Sequence, residues 1–228
     1  MKWILTAALL PALLYGQMAT FESKKAPADT APTADPASTF WRDIKGIVIT
    51  TDYNGNPVPN HRTEVRSRWT PAYLYLLYIC QYEKLNLKPD PNTTAETNQL
   101  WNWDVAEAFI AGKASDTQRY GEFQVSPQGE WVDLDIDRSG QNRGGGAAWN
   151  SGFEVKARID TAEHVWYGEM KIPIKAIVPF APSPKLAFRA GFFRLQGTGA
   201  DKQYISWQAT GGRTFHVPEK FGTLVLVE

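Results

Sequence analysis

The chain has 228 residues, of which 43% are hydrophobic and 21% are charged, a size and composition that suit one folded domain with a sizeable core. Lys plus Arg and Asp plus Glu number 24 each, so no overall charge favours nucleic acid or an acidic membrane surface as a partner. The nine Trp residues and the 13% aromatic content fit either a β-rich core or a surface that stacks on flat ligands.

Residues 1–16 have the pattern of a secretory signal peptide. Lys2 precedes an apolar run that extends from Trp3 to Tyr15, and small or polar residues begin at Gly16. The run is shorter than the roughly 20 residues of a membrane-spanning helix, and an uncleaved membrane anchor is the alternative. We therefore expect a secreted, periplasmic or cell-envelope protein with no integral membrane segment after signal removal. Cys80 is the single cysteine, which excludes an intramolecular disulfide.

Residues 17–39 are rich in Ala, Pro and Thr, and three prolines interrupt any regular element there. This composition predicts a linker or a loosely attached arm. The character of the sequence changes at Phe40, so the folded domain is predicted to cover residues 40–228.

From this point the pattern is that of strands, identified by period-two alternation or by short apolar runs between turn residues. The predicted strands cover residues 44–51, 64–69, 73–82, 100–110, 120–125, 131–137, 153–159, 165–172, 186–196, 204–207 and 223–227. Ser126-Pro127-Gln128-Gly129 marks a hairpin turn, a second hairpin is predicted across residues 160–164, and residues 174–178 predict a short helical turn. About ten strands with little helix predict an all-β, antiparallel sandwich.

The stretch Leu100–Ile110 combines two tryptophans, an aspartate and a glutamate with strand-forming residues. A helix over residues 105–110 is the alternative, because Ala and Glu favour helix, but the aromatic and β-branched neighbours favour a strand. In a strand, alternate side chains share a face, and one face would carry Trp101, Trp103, Val105, Glu107 and Phe109. A strand face that mixes indoles with ionisable groups either borders a ligand site or extends from the buried core to the exposed rim of the sheet.

The strand at residues 131–137 places three carboxylates, Asp133, Asp135 and Asp137, on one face. Carboxylates this close repel one another, so they need solvent with basic neighbours or a cation. Calcium, which prefers oxygen ligands, is the metal that this pattern suggests as a structural ion; no cofactor is otherwise expected.

The sequence offers little support for catalysis. It contains no G-x-S-x-G motif, the three histidines lack a Ser or Cys partner, and Cys and His do not have zinc-ligand spacing. The glycine run at residues 144–146 lacks the Lys-Ser/Thr ending of a phosphate loop. Acidic pairs of the glycosidase kind are not excluded, but carboxylates are common and their separation cannot be read from sequence. We therefore predict a protein that is not an enzyme.

The residue types that remain suit sugar recognition. A sugar ring has an apolar face that stacks on an indole and a rim of hydroxyls that pairs with planar polar groups. Core packing is the alternative role for each tryptophan. The candidate ligand-binding residues are Trp101, Trp103, Asp104, Glu107, Arg189, Arg194 and Trp207.

Six segments within Phe40–Glu228 occur in an order that resembles family 9 carbohydrate-binding modules of the DOMON-like group. They are Tyr73-Leu74-Tyr75, LWNWDVAEAFI, YGEFQVSPQGEWVDLDID, WYGEMKIPIKAI, FRAGFFR and FHVPEKFGTLVL. The resemblance implies a β-sandwich that binds sugars, often at the ends of plant polysaccharide chains, with tryptophans that clamp the sugar and calcium that supports the fold.

By motif, Trp101 and Glu107 match the aromatic and acidic positions of a W-x-x-D-x-x-E-type stretch, and Trp207 resembles the second clamp residue. The family commonly has Asn between two Arg residues, where FRAGFFR has Gly191. Arg189 and Arg194 therefore remain as the implied hydroxyl partners on that strand.

The resemblance implies an exported, non-catalytic module that binds a mono- or oligosaccharide or a polysaccharide chain end and assists glycoside hydrolases in polysaccharide breakdown. Two alternatives come from other classes. One is a DOMON-like haem-binding electron-transfer domain with Met170 and either His164 or His216 as axial ligands. The other is a structural envelope protein whose acidic strand face binds calcium.

Overall fold

The computed structural model describes residues 18–139, 148–212 and 214–228; the predicted signal peptide and the glycine run at residues 144–146 lie outside them. Within these residues, no helix is long and apolar enough to cross a membrane. The secondary structure consists of short 3-10 turns and of strands β1 (Thr20–Lys25), β2 (Ile47–Ile49), β3 (Thr63–Trp69), β4 (Tyr73–Gln81), β5 (Val105–Ala111), β6 (Arg119–Val125), β7 (Trp131–Asp137), β8 (Glu154–Asp160), β9 (Val165–Pro173), β10 (Ala187–Gln196), β11 (Gln203–Ser206) and β12 (Gly222–Val227).

These strands form one continuous sheet in the order β7-β6-β5-β10-β12-β1-β3-β4-β9-β8, with β11 paired to β10 and β2 paired to β3. Neighbours are antiparallel, except that β1 runs parallel to both β12 and β3. The sheet folds back on itself, so that β6 packs against β9. The all-β sandwich predicted from the sequence is therefore confirmed.

Apolar side chains form three layers. The interior cluster joins both halves of the folded sheet and includes Val65, Leu76, Ile110, Phe192 and Leu224. A second cluster lies on the outer face of β5, β6, β7 and β10 and includes Val105, Phe109, Tyr120, Leu134 and Phe193. A third lies on the outer face of β4, where Trp41 and Ile44 cover Tyr75 and Leu77. Strands β4, β5 and β10 are thus buried on both faces, which explains their nearly continuous apolar sequences.

Most predicted elements occur close to their expected positions. The hairpins β6–β7 and β8–β9 have the predicted pairing, and a 3-10 turn covers Ile174–Ala176. The strand predicted at residues 100–110 begins only at Val105. Before it, Leu100–Asn102 form a 3-10 turn that is closed by a hydrogen bond from the Trp103 amide to the Leu100 carbonyl (3.1 Å).

The sequence predicts a linker over residues 17–39, and this prediction is wrong for the part that forms β1. That strand is an integral part of the sheet. Strand β1 fills the gap between β12 and β3, and Phe21 is 4% exposed. The residues that follow cover β9, where the backbone amides of Thr33 and Ala34 donate to the buried Glu169 carboxylate at 2.8 and 2.7 Å. The prolines are compatible with this arrangement because a covering segment needs no strand hydrogen bonds.

We expect the variant Phe21→Ala to lower the free energy of unfolding by about 3–5 kcal/mol, the usual cost of truncating a buried phenylalanine. Phe21 packs edge-on against Phe192 at 5.7 Å between ring centroids. Urea unfolding would measure the loss. Lys24→Ala, on the exposed face of the same strand, is the control and should change stability by less than about 0.5 kcal/mol. Equal, small effects would mean that β1 is only loosely attached.

Candidate functional site

A pocket of about 290 Å³ opens on the outer face of β5, β6, β7 and β10, between β11 and residues 214–216. Its volume lies near the small end of the range for ligand sites, about 300–1,000 Å³. We call it the aromatic–acidic pocket. It is lined by Trp101, Glu107, Phe109, Glu122, Leu134, Ile136, Leu195, Tyr204, Thr214, Phe215 and His216.

Strand register brings the two acidic residues of this pocket together. Alternation along β5 points Glu107 and Phe109 to the outer face, and antiparallel pairing sets Phe109 opposite Glu122 and Glu107 opposite Gln124. The two glutamates are therefore diagonal neighbours on one face, about 7–8 Å apart at the backbone. Both carboxyl groups reach the pocket from its floor.

Aromatic rings form the walls of the pocket. Trp101 is half-buried, and the Lys202 ammonium donates to its carbonyl oxygen at 2.8 Å, which holds the 3-10 turn in place. Phe215 stacks on Phe193 with 4.3 Å between ring centroids, and Tyr204 meets Phe215 edge-on at 5.8 Å. The half-buried rings of Trp101 and Tyr204 leave apolar surface open to a ligand.

The two carboxyl groups are nearly inaccessible to solvent, with Glu107 2% and Glu122 3% exposed. The Gln124 side-chain amide donates to Glu122 at 2.6 Å, and His216 Nε2 lies 4.0 Å from the other Glu122 oxygen. The Glu107 carboxyl, in contrast, has no hydrogen-bond partner among the described residues. Because the Glu107 carboxyl borders the open pocket, it is free to form hydrogen bonds to water or to a bound molecule there.

Burial also changes the protonation of these groups. It raises the pKa of Glu107 well above its usual range, the neighbouring Glu122 charge adds to this effect, and Lys202 opposes it. Burial raises the pKa of Glu122 to about 7, against the hydrogen bond from Gln124. Partial burial and then the charge of Arg138 lower the pKa of His216. The two carboxyl groups therefore keep their protons to higher pH than ordinary glutamates, and the imidazole loses its proton at lower pH than an ordinary histidine.

Of the candidate residues predicted from the sequence, the structure brings Trp101 and Glu107 into this pocket. Trp103 is half-buried and lies outside the lining, with the Lys88 ammonium 5.8 Å from its ring centroid. Asp104 is fully buried and accepts hydrogen bonds from the Gly197 amide and the Gln196 side chain, each at 2.6 Å. Asp104 therefore braces the loops beside the pocket.

Three further predictions require correction. Trp207 packs edge-on against Phe21 in the region of the interior cluster, so it is not a wall of the pocket. Arg194 is fully buried on the opposite side of β10, because its neighbour Phe193 takes the pocket face, and it donates to the Gln81 carbonyl at 2.7 Å. Arg189 donates to the Pro218 carbonyl at 2.9 Å and holds the turn before β12.

The lining residues that sequence reasoning missed are Glu122, Tyr204, Phe215 and His216. Alternation in YGEFQV places Glu122 on the same face as Tyr120. Pairing of this strand with the segment that contains Glu107 could have identified Glu122 as a neighbour of Glu107. Phe215 and His216 lie in an irregular loop, where the sequence gives no periodicity to follow.

The three aspartates of β7 each have their own partner. Asp133 accepts from the Ser151 amide at 2.7 Å, Asp135 pairs with Arg119 Nε at 2.9 Å, and Asp137 accepts from the Ser139 amide at 2.8 Å. In the described part of the chain, no group of three or more His, Cys, Asp or Glu side chains could hold a metal. Calcium binding stays a prediction.

The haem ligands considered from the sequence are not brought together. Met170 is fully buried in the interior cluster, whereas His216 lies at the pocket on the outer face of the other half of the sheet. His164 lies just before β9, six residues from Met170. At about 3.3 Å per residue along a strand, the two residues are roughly 20 Å apart.

Comparison with known proteins points to one family. Residues 35–228 match the model of the carbohydrate family 9 binding domain-like family. A protein of Arthroderma benhamiae named "Extracellular protein" is 25% identical over 181 residues, which are 74% of this chain and 80% of that protein.

Two solved structures share the fold. A proposed carbohydrate-binding protein of Bacteroides uniformis superposes with a TM-score of 0.72 at 16% identity, over 92% of this chain and 100% of that one. A family 9 carbohydrate-binding module of Caldicellulosiruptor kristjanssonii, in complex with cellotriose, superposes with a TM-score of 0.65 at 11% identity, over 92% of this chain and 94% of that one.

The raised pKa of Glu122 predicts a defined pH dependence of stability. The folded state retains a proton that the unfolded chain loses above its ordinary pKa of about 4.5, so this group stabilises the fold fully below that value and less as pH rises to about 7. Between pH 4.5 and 8, deprotonation of Glu122 should lower the free energy of unfolding of the parent protein by on the order of 3 kcal/mol. We expect Glu122→Gln to lack this decrease. Urea unfolding at several pH values would measure it, and parallel curves for both proteins would contradict the assignment.

Proposed function

Because the chain belongs to the carbohydrate family 9 binding domain-like family, we propose that it is an exported, non-catalytic module that binds sugar in the aromatic–acidic pocket. The observation that carries this proposal is the buried, unpartnered Glu107 carboxyl next to the half-buried Trp101 ring. A sugar supplies what both groups lack, since its apolar ring face stacks on an indole and its hydroxyls bond to a carboxyl.

The pocket assigns a role to each lining group. Trp101 is the stacking platform, and Tyr204 and Phe215 take the place of the second clamp that the sequence suggested for Trp207. Glu107 and Glu122 are the hydroxyl partners in place of Arg194. A carboxyl that keeps its proton near neutral pH can donate as well as accept a hydrogen bond, and both functions suit a sugar hydroxyl.

The arrangement of the carboxyl groups favours binding over hydrolysis. Glycosidases place two carboxyls on either side of the scissile bond. Here Glu107 and Glu122 are diagonal neighbours on one sheet face, so both approach a bound ring from the same side. The protein would then serve polysaccharide breakdown by attachment, alongside separate enzymes.

Further observations support export and a terminal sugar as the ligand. The pocket's volume of about 290 Å³ suits a terminal sugar better than the interior of a polysaccharide chain. The signal-like residues 1–16 support export, as does the name "Extracellular protein" of the Arthroderma benhamiae relative. The module of Caldicellulosiruptor kristjanssonii was solved with cellotriose, which makes β-linked glucose oligomers the first ligands to test.

We expect Trp101→Ala to weaken sugar binding about tenfold or more, equivalent to about 1.4 kcal/mol, because it removes the stacking platform. Titration calorimetry with glucose and cello-oligosaccharides would measure the affinity, and thermal unfolding would show that the variant is folded. Trp103→Ala is the matched control, since this neighbouring indole lies outside the lining, and it should bind as the parent does. Equal affinities for the three proteins would place the sugar elsewhere.

A further inference from the structure

The charge of the aromatic–acidic pocket is unbalanced. Its lining residues include two carboxyl groups and, among the described residues, no lysine or arginine. Lys202, whose charge acts on Glu107, is engaged at the rim, where it donates to the Trp101 carbonyl and lies 5.7 Å from the Tyr204 ring centroid. Arg138 pairs with Glu219 at 2.8 Å. Ionisation of Glu107 and Glu122 would therefore add negative charge to the described lining of the pocket.

The two glutamates differ in what they already bind. Glu122 accepts a hydrogen bond from Gln124 and has His216 4.0 Å away, but the carboxyl of Glu107 lines the pocket at 2% exposure with no hydrogen-bond donor in the described structure. A neutral hydroxyl could donate to it. An ammonium group would do more, because it supplies up to three donors and the opposite charge.

The walls are also suited to a cation. The pocket is lined by Trp101, Phe109, Tyr204 and Phe215, and aromatic faces attract positively charged groups through the negative potential above the ring. Aromatic rings combined with buried carboxyls are the chemistry by which proteins recognise cationic amines. An ionised carboxyl in so apolar a setting needs an opposite charge beside it, which an ammonium supplies and a neutral hydroxyl does not.

We propose that this pocket prefers sugars that carry a protonated amine, of the glucosamine type, over neutral sugars of the same ring. The inference rests on the proposed function, since it takes the pocket to be the sugar site, and it names the class of sugar. The amine would lie against Glu107 at the floor of the pocket, while the ring face stacks on Trp101. Polysaccharides with free amino groups are the corresponding polymers.

The test compares ligands that differ only at the amine. Titration calorimetry at pH 7 would use glucosamine, the neutral N-acetylglucosamine and glucose, together with the β-1,4-linked dimers of glucosamine and glucose. We expect the glucosamine ligands to bind at least tenfold more tightly than the glucose ligands, and N-acetylglucosamine to bind no better than glucose.

Two variants assign the preference to the pocket. Glu107→Gln keeps the shape and removes the group that can ionise against the amine, so the ratio of the glucosamine and glucose affinities should fall to about one. Asp135→Asn makes the same chemical change on the other face of β7, where Asp135 pairs with Arg119, and the ratio should stay at the parent value. A parent-like ratio in Glu107→Gln would overturn the inference.

A second readout is independent of absolute affinity. At pH 6 a protonated carboxyl must lose its proton to pair with an ammonium, so glucosamine binding should release protons and glucose binding should release none. Calorimetry in buffers with different heats of ionisation measures this release. Equal proton release for both sugars would contradict the pairing.

The failures of the two proposals are distinguishable. If the parent protein binds glucose as tightly as glucosamine, the amine preference is wrong and the sugar site in the pocket stands. If the folded parent binds none of these sugars or dimers, the proposed function falls, and the amine preference falls with it.

Discussion

Burial of β5 and β10 on both faces is the constraint on which the rest of the structure depends. These strands are the floor of the aromatic–acidic pocket and at the same time one wall of the interior. Each residue must therefore fit one apolar surface or the other: Phe193 faces the pocket, and the adjacent Arg194 faces the interior. The two surfaces are in direct contact, since the buried Tyr78 hydroxyl donates to the Glu107 carbonyl at 2.6 Å. A change in the packing of the interior is thus a change in the floor of the pocket.

The same constraint explains how much the sequence could predict. Alternation and turn residues predicted the sandwich and both hairpins, because those signals are local. Trp101 and Glu107, which both line the pocket, could be placed near one another for a similar reason, as they lie six residues apart in one segment. The direction of Arg194 could not be predicted because a strand buried on both faces has no wet side to show which way a residue points. Trp207 lies just after the short strand β11, where strand alternation no longer applies. Strand β1 was missed because its pairing partners lie far away along the chain.

The strand FRAGFFR shows how one position changes the chemistry of a site. Gly191 stands where the resemblance leads one to expect an amide side chain, and a β-carbon there would lie only 2.4 Å from the Phe193 ring. The ring occupies that space and stacks on Phe215. An aromatic ring thus occupies the space where the resemblance leads one to expect a hydrogen-bonding amide.

The parallel pairing of β1 with β12 has a consequence for how the chain reaches this structure. Thr20 lies beside Thr223, so one of the central contacts of the sheet joins the two ends of the chain. Closing so long a loop costs conformational entropy before the contacts between its ends can stabilise the structure. Folds rich in contacts between residues distant in sequence therefore form slowly. During synthesis, moreover, β1 emerges first and its partner last. The sheet cannot be completed until β12 has been synthesised, and until then the edges of β10 and β1 that flank its place remain open to pairing with other chains.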